Sequence, residues 1–154
     1  MNKILADMHT HTIASGHAYA TLTEMCKEAA NKGLEIYGIT EHSSGIPGTC
    51  ADIYFQNLRV VPRDLFGLDL RLGAEINIID YNGTLDLDQK YIDRLDFVVA
   101  GIHSVCYKFG SKEENTAAII NAIKNPNVNI ISHPDDGRCP LDYEALVQAA
   151  KEYH

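Results

Sequence analysis

Apolar runs alternate with helical patterns along this chain, and the alternation orders nearly everything else in it. Ile4-Leu5-Ala6-Asp7-Met8 predicts a first strand. Thr21-Leu22-Thr23-Glu24 has the form of a capping box, in which hydroxyl and carboxylate satisfy the first orphan N–H groups of a helix. That helix is expected to run to about Asn31, where Lys32-Gly33 closes it, and a second strand follows over 35–40. Residues 43–67 hold Gly45, Pro47, Gly48, Pro62 and Gly67 and predict a long loop, with a short helix around 53–59. A third strand is expected over 69–79. Asp80-Tyr81-Asn82-Gly83 then marks a turn, with a hairpin into Thr84-Leu85-Asp86-Leu87. A short helix over 88–94 leads to a fourth strand over 96–102. Ser111-Lys112-Glu113-Glu114 repeats the capping-box form for a helix to about Lys124, stopped by Asn125-Pro126-Asn127. A fifth strand covers 128–132, and Asp142 is placed to cap a last helix.

Strand followed by helix, repeated, implies a parallel sheet whose strand C-termini all lie on one side. With no repeats and no linker, the chain reads as one domain over 1–154.

The histidines occupy that side. His9 and His11 follow the first run with His17 soon after, His42 follows the second, His103 the fourth and His133 the fifth. The third run, Leu70-Arg71-Leu72-Gly73-Ala74, is followed by Glu75 instead, and the seventh histidine is the terminal His154. One histidine at a strand end is ordinarily satisfied by backbone. Six at equivalent places, with a glutamate, point to ligation of a borderline divalent metal. A closed or partly closed barrel brings such strand ends together better than an open sheet does. In His9-Thr10-His11, period-two alternation puts both rings on one face, and Asp7 shares that face as a ligand or as a carboxylate that orients a ring.

Composition narrows the partners. The chain of 154 residues carries a net charge of −8 with no basic run, which argues against a nucleic-acid-binding face. An anionic small substrate is compatible with it, because bound dications reverse the local sign. Cys26, Cys50, Cys106 and Cys139 are widely spaced, so no disulfide framework is expected and a reducing cytoplasm is. No run of about 18 apolar residues predicts a membrane span, and the N-terminus lacks the apolar region of a secretory signal.

Taken in order, Asp7-Met8-His9-Thr10-His11, His17, Thr40-Glu41-His42-Ser43, Gly73-Ala74-Glu75-Ile76-Asn77, Gly101-Ile102-His103 and Ile131-Ser132-His133-Pro134 resemble the successive motifs of the PHP (polymerase and histidinol phosphatase) domain. The run from Thr12 to Tyr19 is similar to stand-alone bacterial PHP phosphatases with three zinc ions. The resemblance implies an α/β fold, a distorted (βα)7-type barrel, here incomplete with about five parallel strands. It implies that His9, His11 and Glu75 hold one metal, His17 and His42 a second, and Glu75, His103 and His133 a third. The ions would be zinc, up to three of them, with manganese or iron as substitutes. The family's last motif, an Asp-x-His, does not occur after His133. The chain is therefore expected to be a PHP domain cut short on its C-terminal side, with a homo-oligomer or a complementing chain closing the barrel.

The chemistry expected of such a centre is hydrolysis of small phosphate monoesters by a metal-bridging hydroxide, with Glu75 and Asp7 as the catalytic carboxylates. That fits the lack of a Gly-x-Ser-x-Gly or P-loop pattern. Arg59 and Arg138 are the arginines expected to grip a substrate phosphate, ahead of Arg63, and Tyr19 and Asp135 to line the mouth. The rival readings are a partial metal-binding scaffold without turnover, an amidohydrolase-type hydrolase, and a polymerase-linked nuclease.

Overall fold

A computed structural model describes residues 3–153, so Met1, Asn2 and His154 lie outside the described residues. Five strands form one parallel sheet: β1 (Ala6–Asp7), β2 (Ile36–His42), β3 (Asp69–Asn77), β4 (Val98–Gly101) and β5 (Ile130–Ile131). They lie in sequence order, each paired with its predecessor, and the sheet curls into an incomplete barrel. Three longer helices, α1 (Leu22–Asn31), α4 (Lys112–Ile123) and α5 (Tyr143–Tyr153), join two short ones, α2 (Ile53–Asn57) and α3 (Gln89–Ile92). No helix among the described residues is long and apolar enough to cross a membrane.

Both capping boxes form. Thr21 Oγ1 accepts from Glu24 N at 3.3 Å and the Glu24 carboxylate takes Thr21 N at 2.7 Å. Ser111 and Glu114 repeat the pair at 3.2 and 2.8 Å. Asp142 caps α5 by accepting the N–H of Ala145.

The central strands are buried almost throughout, as expected where both faces of a parallel sheet are covered. Leu70, Leu72, Ile76, Ile78 and Ile39 pack with Cys26 and Ala29 of α1, Phe55 of α2, Ala118 and Ala122 of α4, and Leu146 and Ala149 of α5 in one core. Asp96 ties down its N-terminal side, accepting from Leu72 N at 2.7 Å and from Arg63 Nε at 2.7 Å.

The outer strands are shorter than their apolar runs suggest. Only two residues of β1 and two of β5 are in the ladder, and Ile4 and Leu5 are exposed. An outer strand gains hydrogen bonds and apolar cover from one neighbour only, so less of the run is drawn into regular pairing. The hairpin after β3 is reduced to one antiparallel bridge, Ile78 to Leu85. Its turn forms as expected, with Gly83 at φ 78° against α4. It returns Asp86 to the end of β3, where Asp86 N donates to Asn77 O at 3.2 Å.

Candidate metal centre

The site begins with strand register. β2 and β3 pair so that His42 stands opposite Glu75, which places both side chains on one face of neighbouring strands. Residues 8–10 continue alongside β2 past the two ladder residues of β1. Thr40 N donates to Thr10 O at 2.8 Å, and Thr10 Oγ1 donates to Gly38 O at 2.5 Å. A Cβ on Gly38 would stand 2.8 Å from Met8 Cα, so glycine permits this approach. His9 and His11 thus meet Glu75 from an extended segment outside the assigned strand, with ring centroids 5.2 Å apart. Thr12 caps a 3-10 turn over Ile13–Ser15 that ends at Gly16, φ 77°. A Cβ there would lie 2.2 Å from Gly48 O, so Gly16 fixes the turn that delivers His17. His103 and His133 each follow their strand by two residues, and His133 has φ 26°, a backbone conformation uncommon outside glycine.

Glu75 is the hub, 1% exposed. Its Oε2 lies 3.0 Å from His9 Nε2, 3.2 Å from His11 Nε2 and 3.2 Å from His42 Nδ1. Its Oε1 lies 3.2 Å from His103 Nε2 and 2.9 Å from His133 Nε2, the last a hydrogen bond. His17 is exposed and joins through its neighbours, its ring 5.1 Å from that of His11 and 4.9 Å from that of His42. Among the described residues, donor atoms gather in three groups: His11, His17 and His42; His9, Glu75 and His133; and His42, Glu75 and His103. Compared with the sets the family resemblance implies, His11 also stands with His17 and His42, His9 with His133, and His42 with Glu75 and His103.

The donors suit a metal for a specific reason. His42 Nδ1 and His103 Nε2 are buried, lie within 3.2 Å of a carboxylate oxygen, and have no hydrogen-bond partner. Two ligands on one tetrahedral zinc ion stand roughly 3.3 Å apart, and need no hydrogen between them. Burial pushes His42 down to about 3, with His11, His103 and His17 adding to the effect against Glu75, so its ring is neutral near pH 7. Burial alone would raise the Glu75 carboxyl. The imidazoles of His103, His11, His133 and His9 outweigh it and hold the group far below the ordinary carboxylate range. A neutral His42 beside an ionised Glu75 is the pair of protonation states that ligation requires, whereas the hydrogen bond to Glu75 pulls His133 upward.

A second layer holds the rings. His11 Nδ1 lies 3.0 Å from Ser15 Oγ, which is bonded to the buried Glu41. His103 Nδ1 lies 2.7 Å from Asn77 Oδ1. The Asn77 amide nitrogen donates to Ser43 Oγ at 3.0 Å and to Asp86 Oδ2 at 2.6 Å. Sequence reasoning gave none of Ser15, Glu41, Asn77, Ser43 or Asp86 a role. Asn77 carried a usable signal, being two residues beyond Glu75 on the same face of a strand. Asp86 carried a less direct one, the predicted turn after β3 that folds residues 84–87 back along the strand.

The sequence pattern of the PHP domain matches residues 7–154. The chain belongs to the PHP domain family. It is 49% identical over 150 residues to a probable phosphatase of Acetivibrio thermocellus, covering 97% of this chain and 62% of that one. A probable phosphatase of Caldicellulosiruptor saccharolyticus is 50% identical over 148 residues, with 96% and 62% covered. The PHP chain described here thus spans about three fifths of the length of the curated relatives it matches. Among solved structures, the histidinol phosphate phosphatase of Lactococcus lactis, complexed with zinc, L-histidinol and phosphate, is similar in fold. Its TM-score is 0.59 at 19% identity, covering 96% of this chain and 70% of that one.

The remaining expected residues of this PHP domain fall in different places. Arg138 and Asp135 line an open cavity of about 490 Å³ beside His103 and His133, with Ile46, Ile102 and Val105 as its apolar wall. Arg138 also pairs with Asp136, Nη2 to Oδ2 at 2.7 Å. Arg59 is exposed on a 3-10 turn over Leu58–Val60 and is not among the residues lining that cavity. Arg63 is paired with Asp96, before β4 and away from the histidines. Asp7 is exposed and accepts from the backbone N–H of His9 at 3.4 Å, and Tyr19 is 94% exposed.

Proposed function

We propose that this PHP domain is a metal-dependent phosphoesterase that hydrolyses small phosphate monoesters at a centre of up to three zinc ions. The observation that carries the reading is one buried carboxylate, Glu75, facing five imidazoles, two of which direct buried nitrogens at it without a hydrogen bond. His9, His11 and Glu75 would hold one ion, His17 and His42 a second, and Glu75, His103 and His133 a third. The names of the relatives support the reaction class, and the zinc and phosphate bound by the Lactococcus lactis enzyme support the cofactor and the kind of substrate.

When bound, such ions make water acidic enough to serve as hydroxide near pH 7 and draw in phosphate oxygens. The chain's own groups do the rest. Glu75 remains ionised and keeps the imidazoles gathered. Asp7, through the backbone N–H of His9, steadies the segment that carries two of the rings. Arg138 stands at the cavity with Nε and Nη2 held by Asp136, which leaves Nη1 to donate to a phosphate oxygen. Arg59 does not line that cavity, so Arg138 is the cation assigned to the substrate phosphate. The apolar wall of Ile46, Ile102 and Val105 accepts the alcohol portion of the ester.

The test is metal analysis of the purified chain together with hydrolysis of p-nitrophenyl phosphate. Bound ions with turnover support the phosphoesterase, whereas ions without turnover would leave a metal-binding scaffold. Exchanging Arg138 for Ala is expected to raise KM roughly tenfold, the worth of one charge-assisted hydrogen bond, and to change kcat little. A KM left unaltered would remove Arg138 from substrate binding.

A further inference from the structure

Glu41 is a fully buried carboxylate that the proposed chemistry does not use. It belongs to none of the three donor groups. All its bonds come from the turn that carries His11 and His17. Thr12 N donates to both oxygens at 3.2 and 3.1 Å, Thr12 Oγ1 donates to Oε1, and Ser15 Oγ donates to Oε2. A carboxylate that receives every one of these bonds acts purely as an acceptor.

That fixes the hydroxyl of Ser15. Its single O–H is given to Glu41, so its oxygen can only accept from its other partners. One of these is the backbone N–H of His42 at 3.2 Å, and the other is His11 Nδ1 at 3.0 Å. Only an Nδ1–H completes the second contact. In its neutral form, the one a metal ligand takes, His11 carries a single N–H, so the Ser15 contact puts its lone pair on Nε2, the atom 3.2 Å from Glu75 Oε2.

We propose that Glu41, acting through Ser15, is a positioning residue that sets the tautomer of His11 so that Nε2 is the atom offered to a metal. The proposal rests on the metal-centre reading above. The physical need is clear, because a ligating imidazole must hold its second ring N–H in place to present a fixed lone pair. Asn77, held by Asp86, does the same for His103 with an amide oxygen. At His11 the partner is a hydroxyl, which can point either way, and only an acceptor behind it decides the direction.

The substitution Glu41→Gln separates the alternatives at nearly constant shape. The Gln amide can donate to Ser15 Oγ, which lets the hydroxyl turn and donate to His11 Nδ1, moving the ring hydrogen to Nε2. Long-range 1H–15N NMR of the metal-free chain, at a pH where the rings are neutral, reads the tautomer directly. The wild type should show Nδ1–H at His11 and the E41Q chain Nε2–H. Zinc affinity, measured by chelator competition, should fall about 10–100-fold in E41Q. Ser15→Ala, a smaller change that serves if E41Q does not fold, should give mixed tautomers at His11. An Nδ1–H that persists in the folded variant, with zinc affinity unchanged, overturns the proposal. A wild type that binds no zinc would instead defeat the metal-centre reading, while the NMR comparison still decides the role of Glu41.

Discussion

Replacing Glu75 with Gln is expected to empty the proposed centre and to reduce turnover on the order of 10³-fold, the scale seen when a preorganised charge is removed from an active site. Glu75 sits within 3.2 Å of nitrogens from His9, His11, His42, His103 and His133, and both its oxygens are engaged. A Gln side chain of the same shape keeps one acceptor and introduces an NH2 group. That group would hydrogen-bond the imidazole lone pairs, occupying the atoms that ligation needs. It also removes the one negative charge shared among the imidazoles, so clustered dications would repel one another without compensation. Metal content and p-nitrophenyl phosphate turnover are the measurements, with circular dichroism to show that the fold persists. Full ion content with undiminished turnover would sink the assignment of Glu75 as hub.

A second large effect is expected at Gly101, the last residue of β4. A Cβ there would lie 2.2 Å from Ser132 Oγ, 3.2 Å from Glu75 Oε1 and 3.2 Å from His103 Cε1. Ser132 cannot withdraw easily, since its N–H bonds Ala100 O at 3.0 Å and its side chain is buried. Gly101→Ala should therefore cost roughly 1–3 kcal/mol, the usual penalty for overpacking, and lower Tm by several degrees. It should also weaken zinc binding by pressing on Glu75 and His103 together. Adding Ser132→Ala removes the closest obstructing atom and should restore more than half of the lost stability. If the two costs simply add in a double-mutant cycle, the clash is not the cause.

Much of this was legible in the sequence, for reasons that differ from element to element. The helices with capping boxes begin where Thr21 and Ser111 require, because the cap is local chemistry with both partners three residues apart. The central strands were legible because burial on both faces leaves continuous apolar runs. The outer strands were overdrawn, since apolar content alone does not say how many neighbours will pair with a run. The gathering of His9, His11, His42, His103 and His133 about Glu75 followed from parallel topology, which sends every strand end the same way. His9 and His11 do converge, but on an extended segment held by Thr10 and Thr40 rather than within β1. Part of the supporting layer was out of reach, because Ser15 meets Glu41 across 26 positions, a pairing that leaves no spacing a single sequence discloses.

The strands lie in the sheet in the order in which translation produces them. A growing polypeptide therefore never has to prise joined strands apart to admit a later one, and each newcomer adds at a free flank. By the time β3 has left the ribosome, the residues that will meet from the first half of the chain, His9, His11, His17, His42 and Glu75, are all present. The acidic hub is thus planted before His103 and His133 arrive from β4 and β5. Chain order supplies the carboxylate ahead of the last two imidazoles that face it.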